Sequence, residues 1–307
     1  MSALKKRILL VSDMHYTTEL TYSELKKKYP DSNTSAAAGR TFGMTQREKV
    51  EKIYEDIIRE NERKQLDAVL VLGDLSIDDY DFRNLPINYC MQFRKECLDR
   101  LPCNYYVLPG NHDSYPNDEW RNIFGTDREF VCEVGDAVFI MADTFCDYPA
   151  RAASGSDLTM INEEFIIACL EKYRGRKIFI CAHHIDARAD DNPTVSPTLR
   201  DIIKDNGDIV FLFRGHTHHS EVIDLGAAFG GKRLVDIGGY GYCGIKMDYG
   251  WEFNIYDFKW AWGYQVLEIY DDKILTYHVT TDNTYNAKNG VFEVSESVSD
   301  TVEYLIQ

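Results

Sequence analysis

The chain has 307 residues, enough for one large α/β unit or two smaller domains and for a sizeable buried core. Hydrophobic residues make up 44% and charged residues 27%, the proportions of an ordinary folded protein, which excludes fibrous, collagen-like and wholly disordered chains. With 50 acidic residues against 34 basic ones the net charge is −16, which repels a polyphosphate backbone and disfavours generic nucleic-acid binding.

Met1 to Arg7 are polar and basic, and the apolar run behind them, Ile8 to Val11, is too short for a signal-peptide core or a membrane span. A cytoplasmic protein with no membrane contact is the expectation. That run stops at Ser12-Asp13, and a long polar insertion from Thr17 to Gly43 follows, of the kind that serves as a lid or binding loop. Thr45 to Lys64 places Val50, Ile53, Tyr54, Ile57 and Ile58 at helical spacing, with Thr45 and Glu48 as a capping box. Ala68 to Leu72 runs into Gly73-Asp74; Asn88 to Arg100 is helical; Tyr105 to Leu108 runs into Pro109-Gly110-Asn111. Glu129 to Ala142, broken at Gly135-Asp136, predicts a hairpin that extends the sheet. Asn162 to Tyr173 is a further helix, and Ile178 to Ala182 and Ile209 to Phe213 lead into His183-His184 and Arg214-Gly215-His216.

Beyond Lys232 the pattern changes. Trp251-Phe253-Ile255, Phe258-Trp260-Trp262-Tyr264 and the pair Tyr264 to Tyr270 with Ile274 to Val279 around Asp271-Asp272 predict antiparallel strands, so a second sheet is expected from the C-terminal half. The acidic tail after Thr281 carries a further strand at Val291 to Val294. Short apolar runs rich in β-branched and aromatic residues are strands covered on both faces. The predicted fold class is therefore α/β (α+β): two mixed β-sheets packed as a sandwich and flanked by helices, with the main domain at 1–280 and the tail at 281–307. The cysteines, with no C-x-x-C pair among them, read as free thiols of a reducing cytoplasm.

Of the eight histidines, all but His278 lie just beyond those strand ends: His15, His112, His183, His184, His216, His218 and His219. With them stand Asp13, Asp74, Asn111 and Asp113. Imidazole nitrogens with carboxylate and amide oxygens suit Mn, Fe, Zn or Co, and the lack of cysteines there argues against a structural zinc or an iron–sulfur centre. Six or seven candidate ligands are too many for one catalytic ion with open positions and fit two ions that share a carboxylate.

The order D-x-H, G-D, G-N-H-D, H, G-H-x-H, from Asp13 to His218, resembles the calcineurin-like metallophosphoesterase superfamily. The resemblance implies a β-sandwich flanked by helices, with 1–280 as its domain. It also implies a dinuclear centre of divalent or trivalent ions, Mn, Fe or Zn, in which Asp13, His15 and His218 hold the first metal, Asn111, His183 and His216 the second, and Asp74 bridges. His112 is assigned to the leaving group or transition state and Asp113 to orienting its imidazole. The implied activity is hydrolysis of a small phosphodiester or phosphomonoester by attack of a hydroxide held at the two metals. A nuclease of the same superfamily and a non-catalytic scaffold are the alternatives; a zinc amidohydrolase is more remote, because such barrels begin with H-x-H. Ile77, where purple acid phosphatases carry a tyrosine ligand, speaks against that subclass.

The remaining candidates read more plainly. His184 and His219 are hydrogen-bonded neighbours, Asp78 a solvated carboxylate, and the aromatic run from Tyr240 to Tyr264 a sheet face rather than a base-stacking surface. Arg40 and Arg214 read as salt-bridging residues, with phosphate clamping as the sharper alternative.

Overall fold

The structure is a computed structural model and describes residues 3–16, 27, 46–76, 88–113, 115–145, 158–218, 220–240, 243–244, 259–286, 291–293 and 297–306. The polar insertion apart from Lys27, Thr45 of the expected capping box, the aromatic stretch 251–258 and Val294 lie outside the described residues. In chain order the first half gives β1 (Leu4–Val11), α1 (Gln46–Arg63), β2 (Ala68–Leu72), α2 (Tyr89–Glu96), β3 (Asn104–Leu108), α3 (Asn117–Phe124), β4 (Phe130–Val134) and β5 (Ala137–Ala142). The second half gives α4 (Glu163–Lys172), β6 (Lys177–Ala182), α5 (Pro197–Asp205), β7 (Ile209–Arg214), β8 (Ser220–Asp224), β9 (Arg233–Ile237), β10 (Cys243–Gly244), β11 (Lys259–Tyr270), β12 (Lys273–Asn286), β13 (Val291–Glu293) and β14 (Ser297–Leu305).

Two mixed sheets pack face to face. One has eight strands, with β13-β12-β11-β1-β2-β3 in order and β10 and β14 paired to β11 and β12; the other has six, ordered β4-β5-β6-β7-β9-β8. Alternate residues of each strand enter different layers. Ile8, Leu10, Leu70 and Leu72 meet Phe139, Met141, Phe179 and Phe213 between the sheets. Leu9, Val11, Val69 and Val71 pack under Val50, Ile53 and Ile57 of α1 and Phe93 of α2. On the far side Ile140, Ile178, Ile180 and Leu212 lie against Ile166 and Leu170 of α4 and Leu199 and Ile203 of α5. This two-sided burial is why the strands read as unbroken apolar runs. In β7 an extra residue enters: Ile178 pairs with Ile209 but Phe179 with Phe211, so Val210 and Phe211 both face the inter-sheet core, the signature of a β-bulge.

Three of the sequence-based expectations about pairing and helices change. The hairpin β4–β5 opens the second sheet instead of extending the first, and β11 and β12 return to the first sheet instead of founding another. The reason is that β1 is central: β2 pairs with one side in parallel, Leu9 against Val69, and β11 closes the other side antiparallel, Leu9 against Val266. Local periodicity fixes a strand's faces but not its neighbours. Helices α3 and α5 were not expected. The N-caps of α2, α4 and α5 are Asn88, Asn162 and Ser196, accepting from Met91 N at 2.7 Å, Phe165 N at 3.2 Å and Leu199 N at 3.0 Å. Among the described residues no helix is long and apolar enough to cross a membrane.

Arg7 of β1 is 3% exposed and ties the first sheet to α1. Its Nε donates to Glu268 Oε1 at 3.0 Å, its Nη1 to the carbonyls of Glu60 and Lys64 at 3.2 and 2.8 Å, and its Nη2 to the Glu60 carboxylate. Burial works against the Glu268 carboxylate, but donation from Tyr270, Lys64 and Arg7 holds it below the usual range. Removing Arg7 takes the buried cation from two buried acids that keep only their other donors, Tyr270 and Lys64 on Glu268 and Tyr264 and Arg63 on Glu60, so Arg7→Met is expected to lower unfolding free energy by about 3–5 kcal/mol in urea titrations. A depressed carboxyl contributes stability that is complete above the unfolded glutamate value and lost as pH falls through the folded one. The wild-type urea midpoint should therefore drop below about pH 4.3, and Arg7→Met should show less of that dependence.

Candidate metal centre

The parallel strands of both sheets end on the same side of the sandwich, and the chain turns there to aim its polar side chains inward. Asp13 and His15 follow β1, Asp74 follows β2, and Asn111, His112 and Asp113 follow β3; from the second sheet come His183 after β6 and His216 and His218 after β7. Beyond the C-terminal ends of parallel strands is where open α/β sheets place their sites. The turns are tied across strands: Asp13 N donates to Gly73 O, His15 N to Asp74 O and Gly215 N to His183 O, each at 3.0 Å.

The backbone is strained where the ligand candidates sit. Of the six described non-glycine residues with positive φ, five are Asp13 (58°), His15 (47°), Asp74 (51°), His216 (68°) and His218 (59°). The left-handed conformation costs an L-residue about 1–2 kcal/mol and reverses the chain within one residue, returning the side chain toward the strand ends.

All seven proposed ligands converge. His15 Nε2 and His218 Nε2 are 3.1 Å apart, and Asp13 Oδ1 is 3.2 and 3.8 Å from them respectively through His218 and His15. Asn111 Oδ1 lies 3.1 Å from His183 Nε2 and 3.0 Å from His216 Nδ1, and those two nitrogens are 3.2 Å apart. Asp74 Oδ2 lies between the sets, 3.3 Å from His183 Nε2 and 3.9 Å from both His15 Nε2 and His112 Nε2. Ligands at about 2.0–2.2 Å from one ion stand about 3.0–3.5 Å from one another, which is the spacing within the Asn111–His183–His216 set and within the other set apart from the 3.8 Å between Asp13 and His15. Among the described residues Asp13 Oδ1 is buried without a hydrogen-bond donor, and the donor set is nitrogen and oxygen without thiolate. These residues could hold metal ions.

The second oxygen of each acid is occupied by the protein. Asp13 Oδ2 accepts from Ser12 Oγ at 2.5 Å and His216 N at 2.9 Å, and Asp74 Oδ1 accepts from His112 N at 2.9 Å. His183 Nδ1 donates to Leu72 O at 2.7 Å, which fixes the ring with Nε2 facing inward. The Asp113 carboxylate accepts from the backbone N–H groups of Leu75, Ser76 and Gly110 at 3.1, 3.0 and 3.0 Å, so it fastens the Asp74 turn to the Asn111 turn. Burial pushes the Asp113 carboxyl up, Asp74 adds to that, and those N–H groups oppose it.

Electrostatically the centre asks for positive charge. Burial would raise the Asp74 carboxyl, but His183 and His112 beside it bring it well below the usual range. Burial would lower the His183 imidazole, but Asp74 and Asp13 push it up to about 10. Burial pushes His216 down to about 3, reinforced by His183 and His184. The buried carboxylates thus call for positive charge beside them, a demand that a metal ion also meets.

Other candidates fall outside this cluster. Arg214 is buried, with Nε on Asp236 Oδ2 at 2.7 Å and Nη1 on Ile185 O at 2.7 Å, so it is neither a phosphate clamp nor a surface salt bridge. His184 packs its ring edge-on to His216 with centroids 4.7 Å apart, and its N donates to Thr144 Oγ1 at 3.3 Å. His219, Ile77, Asp78 and Arg40 lie outside the described residues. Sequence reasoning missed Ser12, which carries no motif, and Gly239, whose missing side chain lets it sit against Asp13 Cβ and His218, where an added Cβ would come within 3.2 and 3.3 Å.

The family model for calcineurin-like phosphoesterases matches residues 6–220. A protein of Pseudoalteromonas sp. (strain SM9913) named "Probable cyclic nucleotide phosphodiesterase" is 27% identical over 190 residues, which are 59% of this chain and 66% of that protein, just under two thirds of its length. Among solved structures, PhoD aligns with 99% of this chain and 70% of its own at 11% identity and a TM-score of 0.53, a likeness of fold. Vps29 of Chaetomium thermophilum covers 99% of this chain and 98% of its own at 11% identity, with a TM-score of 0.39.

A methyl group on Gly110 would overlap the Asp74 carboxylate and backbone. Mn²⁺ or Zn²⁺ is expected to stabilise the wild-type protein, by about 2.7 kcal/mol per site at a hundredfold excess over Kd, and so to raise its unfolding temperature, and Gly110→Ala should lose that response. An equal cation-dependent shift in Gly110→Ala would place the binding elsewhere.

Proposed function

The chain belongs to the calcineurin-like phosphoesterase family, and from that membership we propose that it hydrolyses small phosphoesters at a centre of two cations. Asp13, His15 and His218 would hold one and Asn111, His183 and His216 the other, with Asp74 as the carboxylate shared between the two sets; Mn, Fe and Zn suit the donors. The observation that carries this reading is the position of Asp74 Oδ2, within 3.3 Å of His183 Nε2 and 3.9 Å of His15 Nε2, so that one carboxylate oxygen serves both sets. Bound there, two cations supply Lewis acidity toward phosphoryl oxygens and lower the pKa of water, so that no protein nucleophile is required.

The chain's own groups do the rest. His112 is 8% exposed, and its ring stands edge-on to His15 with centroids 5.2 Å apart. It is placed to give a proton to the departing alkoxide, a step for which imidazole is suited near neutral pH. Asp113 keeps the turns carrying Asp74, Asn111 and His112 in register through its three backbone partners. Phe145 packs on His183 and His216, with ring centroids 5.6 and 6.0 Å away, and excludes water from that side.

A small phosphodiester, of which a cyclic nucleotide is the instance suggested by the relative's name, is the substrate class we favour. The net charge of −16 weighs against a polynucleotide, and the free thiols of the described cysteines accord with a cytoplasmic setting. With Mn²⁺ present, an aryl phosphodiester, an aryl monoester and cyclic nucleotides are the substrates to compare. Asp74→Asn is expected to abolish turnover, and His112→Asn to lower kcat by about 10²–10⁴-fold with the metal content unchanged. Turnover indifferent to both substitutions overturns the mechanism, and salt-sensitive cleavage of DNA or RNA would move the assignment to a nuclease.

A further inference from the structure

Arg128 lies between the turn after β3 and the loop after β5, and nothing in the chemistry above employs it. It stands between α3 and β4, 5% exposed, with its backbone N–H on Asn117 Oδ1 at 2.8 Å. Its Nε donates to Asp143 Oδ2 at 2.7 Å, and Nη2 donates to Asp143 Oδ1 and to Phe145 O, both at 3.3 Å. Nη1 donates to Tyr115 O at 2.7 Å and to Asp113 O at 3.4 Å. A guanidinium has five N–H donors in a planar fork, and each of these has an acceptor.

The acceptors belong to two segments. Asp113 and Tyr115 continue the turn that carries Asn111 and His112 from the first sheet. Asp143 and Phe145 follow β5 of the second sheet, where Phe145 N donates to Asp143 Oδ1 at 2.9 Å and the Phe145 ring packs on His183 and His216. The triad of Asn111, His183 and His216 draws on both segments. The triad of Asp13, His15 and His218 has ties that Arg128 does not make, Ser12 Oγ on Asp13 Oδ2 and Tyr240 N on Ser12 O at 2.7 Å, and one link to the other triad, His216 N on Asp13 Oδ2. A buried ion pair gives little stability over an apolar filling of the same space, whereas a rigid fork fixes the relative position of the groups it joins.

We propose that Arg128 is a positioning residue for the Asn111–His183–His216 cation site, bracing the turn after β3 against the loop after β5 and so setting the affinity of one cation without touching it. The inference rests on the two-cation reading. In Arg128→Lys an ammonium can keep Asp143 but cannot span the three carbonyls as well. Titration calorimetry of the full chain with Mn²⁺, with bound metal counted after gel filtration, is expected to show one binding step weakened about 10–100-fold and the other unchanged. Turnover should fall at limiting Mn²⁺ and recover at saturation. Asp143→Asn, nearly isosteric, should weaken the same step. Arg7→Lys, a buried change remote from the centre, should lower the unfolding temperature and leave both steps alone. Two unaltered steps in Arg128→Lys, or equal weakening of both, overturns the inference while leaving the enzyme reading intact. A wild-type protein that takes up fewer than two ions overturns both.

Discussion

Asp13 and Asp74 hold two carboxylates at 0% and 1% exposure, and buried negative charge persists only where positive charge or donors stand against it. The buried arginines among the described residues are committed elsewhere: Arg7 to Glu60 and Glu268, Arg128 to Asp143, Arg214 to Asp236. What faces the two aspartates is imidazole, whose charge depends on a proton or a metal. The architecture around the centre can be understood as the means of holding that arrangement against repulsion and desolvation.

Neither sheet could build it alone. The first contributes the acids, Asn111, His15 and His112; the second contributes His183, His216 and His218. Their relative placement therefore depends on the packing between sheets, where Phe139 stacks on Phe179 with centroids 4.9 Å apart, and on polar ties at the mouth. Hydrophobic packing sets the sheets' distance and tolerates small slides, whereas hydrogen bonds with defined directions fix position more closely. The apolar layer and the polar mouth thus contribute different things to one geometry.

The cluster of candidate ligands was legible in the sequence because covered parallel strands read as apolar runs and the cluster lies just past their ends. His15, His112, His183, His216 and His218 announce themselves by residue type. Sheet membership was not legible, since the alternation in β11 and β12 says which side chains face inward and nothing about β1 as the partner. Helix α5 carried a usable signal, Ser196 as cap with Pro197 in the first turn, whereas α3 has eight residues and no side-chain cap. Arg128 and the backbone partners of Asp113 leave no motif, because their acceptors and donors are main-chain groups that any residue supplies.

The strain in the turns that carry the candidate ligands sets durability against competence. At Asp13 a glycine would adopt the observed φ of 58° without penalty and would also remove a desolvated charge. Selection of variants for heat tolerance alone would therefore tend to erode the positions that give the molecule its use, and a hardened version of this fold would have to draw its gains from surface and loop sites far from the cluster.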